Sequence, residues 1–115
     1  MNNRTVFRGL LIASAFVATT ANAQTLRQVV ALTENEQFAK ASSMFRTLLT
    51  TDATSGEVWF QYGENFFQWD KQDSANYCYK KGVEVNPRYP LGHVGLGKIL
   101  WVKGDTAQAR VQFQN

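Results

Sequence analysis

The chain has one cysteine and one histidine in 115 residues. A single cysteine, Cys78, excludes any disulfide within the chain. One Cys and one His cannot close a zinc site, and the carboxylates Glu57, Glu64, Asp70 and Asp73 lack the spacing of a calcium loop. Cys78 and His93 are the only candidates for a nucleophile and base, yet nothing in the sequence orients the histidine or marks an oxyanion site. Core packing accounts better for both residues. Gly92, Gly95 and Gly97 imitate a phosphate-binding loop in composition, but they follow no strand and fall inside a helical pattern. No catalytic group, metal or cofactor is expected. Long apolar runs are scarce too. The longest, Gly9 to Ala18, is about half of the roughly 20 residues that a membrane-spanning helix needs.

That run identifies a different object. Arg4 and Arg8 precede it, and Ala21-Asn22-Ala23 follows with small residues two apart, the pattern of a secretory signal peptide cleaved after Ala23. Residues 1–23 are therefore expected to be a leader and residues 24–115 one domain, periplasmic or secreted, with no stable membrane insertion after cleavage. Removing Arg4 and Arg8 takes the basic count from 12 to 10 against 9 acids, a net charge of +1. A nearly neutral chain with scattered lysines has no stripe that would track phosphates, so nucleic acid is not an expected partner.

What the sequence does contain is a repeat. Ala41, Ala75 and Ala109 recur every 34 residues, and each is followed four residues later by an aromatic: Phe45, Tyr79 and Phe113. Gly63 and Gly97 keep the same register, as do Phe60 and Val94, and Leu32, Phe66 and Leu100. A small and a large residue recurring at this period mark a stacked helix-turn-helix unit. Local signals agree. Trp59, Tyr62, Phe66 and Trp69 form one helical stripe over residues 56–69. Thr54 and Glu57 read as a capping box before that stripe, and Asp70 as the cap of the next helix. Ala75, Cys78, Tyr79, Gly82 and Val83 form a second stripe, with Lys80 and Lys81 in its last turns and Asn86-Pro87 as its stop. Pro90 opens a further helix that Gly104 breaks, and Asp105 with Gln108 starts another. Helices near 24–35 and 37–50 complete the count. The expected fold is all-α, about six helices in antiparallel pairs, with units near 22–55 and 56–89 and an incomplete one over 90–115.

On these residues the chain resembles the tetratricopeptide repeat (TPR) family. The middle unit fits best, with Trp59, Tyr62, Gly63, Phe66, Ala75, Tyr79 and Pro87 at the family's large, small and terminating positions. Gly82 stands where alanine is usual. His93 replaces the aromatic Trp59 in the third unit, and Thr25, Gln28 and Val29 depart from the pattern in the first. The resemblance implies a right-handed superhelix whose first helices line a groove for a peptide or partner segment. Carried over by position, the groove residues would be Leu26 and Val30, then Phe60, Glu64 and Phe67, then Val94, Lys98 and Trp101. The matching positions for a carboxylate clamp hold Leu26, Val30, Gln61, Leu91 and Gly95, which rejects a chaperone-adaptor role. The expectation is a non-catalytic protein-interaction scaffold. The alternative is a docking module of a larger envelope enzyme or secretion component that continues beyond residue 115. The sequence stops two residues after Phe113, in the middle of an expected helix, and the polar outer face of a terminal repeat is missing. The expectation is either an amino-terminal piece of a longer array or an open end covered by a partner or, through self-association, by a second copy.

Overall fold

A computed structural model describes residues 22–115, and these residues form six helices and no strand. The expected leader lies, apart from Asn22 and Ala23, outside the described residues. Helix α1 covers 22–34, α2 Phe38–Thr51, α3 Gly56–Gln68, α4 Gln72–Val85, α5 Pro90–Val102 and α6 Thr106–Gln114. Linkers of a few residues turn each helix back against its predecessor. Among the helices from α2 onward, α3 packs on α2, α4 and α5, and α4 packs on α5, which packs on α6. The backbones of α2 and α4 come no closer than 8 Å between Cα atoms. This is an all-α helical repeat in which each odd-numbered helix from α3 on joins its own unit to the preceding one.

The helix ends follow capping chemistry, with three departures from expectation. The cap of α3 is Ser55 and not Thr54: its hydroxyl accepts the Val58 amide at 3.2 Å, the three-residue reach a cap requires, and Thr54 lies one residue too early. Asp70 does not cap α4. It occupies the left-handed region at φ +61°, in the turn where Lys71 N–H donates to the Phe66 carbonyl, and Lys71 is the residue that precedes the helix. Lys80 and Lys81 fall short of the last turn of α4, because that helix runs on to Val85; Lys81 pairs with Glu84 instead. Pro90 does open α5, and Asp105 Oδ1 accepts the Gln108 amide at 3.1 Å at the start of α6. Gly104, at φ +85°, makes the turn between them, a conformation that any residue with a Cβ resists.

Two apolar clusters share α3 as a wall. Leu26, Val29, Ala41, Phe45, Leu48, Val58, Tyr62 and Cys78 form the first; Phe60, Ala75, Tyr79 and Ile99 form the second. The repeat alanines Ala41, Ala75 and Ala109 are all fully buried, which explains their period: a larger side chain would hold the crossing helices apart.

Each junction between units also carries polar contacts. At the first, Asn65 of α3 is completely buried. It accepts from Thr33 Oγ1 at 2.8 Å and donates through Nδ2 to Ser42 Oγ at 2.9 Å and to the Phe38 carbonyl at 3.2 Å. At the second, the equivalent position is the buried Ile99, and Tyr79 takes over the role of a wedge. A Cβ on Gly63 of α3 or on Gly95 of α5 would collide with its ring.

Candidate binding groove

The eight residues expected along the groove separate into two groups. Leu26 and Phe60 are core residues, one in each apolar cluster, with Phe60 tilted against the ring of Tyr79 and edge-on to that of Tyr89. Their surface is spent on packing between units and is not offered to a partner. Val30 is half-buried against the first cluster and Val94 is half-buried on α5.

The remaining four lie together. Lys98 of α5 places Nζ 2.6 Å from Glu64 Oε1 of α3, and the same oxygen accepts the Tyr79 hydroxyl at 2.5 Å. Burial, and then the bond to Glu64, raise the pKa of Tyr79 well above the tyrosine range, so the phenol stays a donor. Lys98 Nζ also sits 4.3 Å from the centroid of the Phe67 ring, within cation–π range. Glu64 and Lys98 therefore hold each other and the aromatic beside them, and leave no free charge for a ligand to neutralise. Trp101, one turn beyond Lys98 on α5, is 60 % exposed.

Phe67, Lys98 and Trp101 line an open depression of about 410 Å³ with Val102 of α5 and Phe113 of α6. Its size falls within the range of small-ligand and side-chain pockets. Val102 and Phe113 were not among the groove residues read from the sequence. Phe113 could have been found there, because it occupies the position of Tyr79, whose burial depends on the following unit.

A second depression, of about 510 Å³, opens between α2 and α4. Trp59, Tyr62, Phe66 and Tyr77 supply its aromatic lining, with Arg46 and Asp73 as its charged groups. Tyr77 is exposed and meets the Trp59 ring edge-on at 6.3 Å, while Tyr62 stacks on Phe45 at 5.2 Å and the Trp59 indole donates to the Ala53 carbonyl at 2.8 Å. Cys78 lies buried in this wall, and desolvation pushes its thiol up from 9.0 to about 12, which keeps it protonated and unreactive. His93 does not face it as a base. Its two ring nitrogens contact Gln112 Oε1 at 3.2 Å and the Pro87 carbonyl at 3.3 Å.

Among the described residues, no group of three or more His, Cys, Asp and Glu could hold a metal ion, and no helix is long and apolar enough to cross a membrane. Compared with models of known protein families and with curated proteins, the chain matches none.

Proposed function

We propose that this chain is a non-catalytic protein-interaction scaffold of the TPR type, exported to the periplasm or outside the cell, which holds an apolar or amphipathic segment of a protein partner. The observation that carries the reading is the depression at Phe67, Trp101, Val102 and Phe113, where apolar side chains gather around an ion pair that is already satisfied. Such a surface favours aromatic or aliphatic anchors and gives little reward to a charged ligand. The 34-residue period supports the TPR assignment, and Arg4, Arg8 and Ala21-Asn22-Ala23 support export.

The test is calorimetric titration with peptides selected from a random displayed library on the chain. Phe67→Ala/Trp101→Ala should weaken the selected peptides at least about tenfold, equivalent to roughly 1.4 kcal/mol. Affinity unchanged in the double variant would remove the groove from the function. A second reading, in which these repeats dock a larger envelope enzyme or secretion component, draws on the same exposed edge, where Trp101, Val102 and Phe113 remain accessible.

A further inference from the structure

The depression between α2 and α4 is built by α2, α3 and α4 alone, in the middle of the described chain. Its two walls carry opposite charges, Arg46 on α2 and Asp73 on α4. Both residues are exposed, and neither takes part in an ion pair among the described residues. Burial raises the pKa of the Tyr62 hydroxyl, and the Arg46 guanidinium beside it pulls the other way, which puts that cation next to the aromatic floor. Trp59 and Tyr77 stand at 73° with centroids 6.3 Å apart, so the two rings form a corner.

The molecule twice settles an ammonium on a ring face. Lys71 Nζ lies 3.6 Å from the Trp69 centroid, and Lys98 Nζ 4.3 Å from that of Phe67. Trp69 stacks on Phe66, so the row of rings that floors the depression already takes a cation at its outer end. No lysine or arginine among the described residues does the same for Trp59 or Tyr77.

A ligand cation in that corner would meet electron-rich ring faces and the Asp73 carboxylate. Apart from Asp73, Ser74 and the tyrosine hydroxyls, the lining offers it few hydrogen-bond acceptors. A primary ammonium, with three N–H groups to satisfy, suits such a lining poorly, whereas a quaternary one has none. Arg46 repels a simple cation but attracts one that carries its own anion. The backbones of α2 and α4 stay more than 8 Å apart between Cα atoms, which keeps the two charges on separate walls.

We propose that this depression is a binding site for a small zwitterion, its quaternary ammonium held in the corner of Trp59 and Tyr77 beside Asp73 and its anionic group held at Arg46. The site shares no residue with the depression at Phe67 and Trp101.

The probe is phosphocholine, titrated calorimetrically into the full chain beside its isostere with carbon in place of the quaternary nitrogen. Phosphocholine should bind at least about tenfold more tightly than the isostere, as a partly desolvated cation–π site requires. Choline, which lacks the anion, and inorganic phosphate, which lacks the cation, should each bind at least about fivefold more weakly than phosphocholine. Tyr77→Ala and Asp73→Asn, both at exposed positions, should each weaken phosphocholine at least about threefold, and Arg46→Gln should remove its advantage over choline. Phe67→Ala/Trp101→Ala should leave it within about twofold, so this site and the groove stand or fall separately. Phosphatidylcholine vesicles distinguish the two sources of such a ligand: co-sedimentation that Tyr77→Ala abolishes assigns a lipid headgroup, and phosphocholine binding without co-sedimentation assigns a soluble solute. Equal binding of phosphocholine and the isostere, binding of neither, or binding that Tyr77→Ala and Asp73→Asn leave unchanged would overturn the proposal.

Discussion

The two junctions between units fall at the same positions of the repeat and use opposite chemistry. At the first, one buried amide is pinned by Thr33, Ser42 and the Phe38 carbonyl, so every polar atom of Asn65 has a partner. At the second, Ile99 stands in that place, and Tyr79 is wedged between two glycines with its hydroxyl on the Glu64–Lys98 pair. A hydrogen-bonded pin fixes register by penalising any displacement that leaves a buried group unpaired. A wedge fixes register by shape, because only one pair of glycines admits the ring. One repeat period is therefore compatible with two unrelated ways of joining its units.

The largest test of this contrast is Gly95→Leu, which puts a side chain into the Tyr79 ring. Overpacking there should cost about 3 kcal/mol, the upper part of the usual range, and lower the thermal midpoint by roughly 10 °C or more. Leucine at the equivalent half-buried Gln61 of the preceding unit should be far milder, because the first junction has no wedge. If both variants melt alike, the wedge is not what distinguishes the second junction.

Asn65→Ile copies the second junction into the first. It should cost about 2 kcal/mol, because Thr33, Ser42 and the Phe38 carbonyl lose a buried partner. Adding Thr33→Val should recover part of the loss, since removing both partners of a buried bond is cheaper than removing one. Chemical denaturation of the single and double variants measures this, and a double variant less stable than the single would contradict the pin.

Alkaline pH tests the burial of Cys78 in the first cluster. The thiol's contribution is complete below pH 9. It is lost as pH rises toward 12, because the unfolded chain releases the proton near 9.0 while the folded chain retains it. The fall attributable to this group is about 1.4 kcal/mol per pH unit. Cys78→Ala should be less stable at neutral pH yet lose stability less steeply above pH 9; parallel curves would mean the thiol is accessible. Tyr79 of the second cluster, also raised by burial, should add to the alkaline loss in both proteins.

The smallest effect belongs to the visible ion pair. Lys98→Met keeps the aliphatic contact with Phe67 and removes only the charge beside a partly exposed Glu64. Its cost should be no more than about 1 kcal/mol in thermal denaturation. A loss as large as that of Asn65→Ile would place the weight of the second junction on charge and not on shape.

Much of the fold was readable before any coordinates. The 34-residue period, the alanine crossings, Pro90, Asp105 and Gly104 located the helices closely, because each is a local signal with a local cause. Thr54 and Asp70 were misread as caps because Ser, Thr and Asp are near-equivalent cap formers, and only the backbone geometry chooses among neighbours. The groove was read less well. Period assigned Leu26 and Phe60 to it, but repeat position alone does not distinguish a side chain facing the next unit from one facing solvent.

By itself, the sequence determined an all-α repeat, the spacing of its units and the small residues at their crossings, since helix periodicity and residue size are written along the chain. The tertiary structure alone decided that Asn65 is pinned while Ile99 is not, that Glu64 and Lys98 satisfy each other, and that among the described residues Phe113 joins Phe67 and Trp101 around one depression. Those outcomes depend on which side chains meet across units 23 to 34 residues apart, and pairing at that distance is set by how the helices stack.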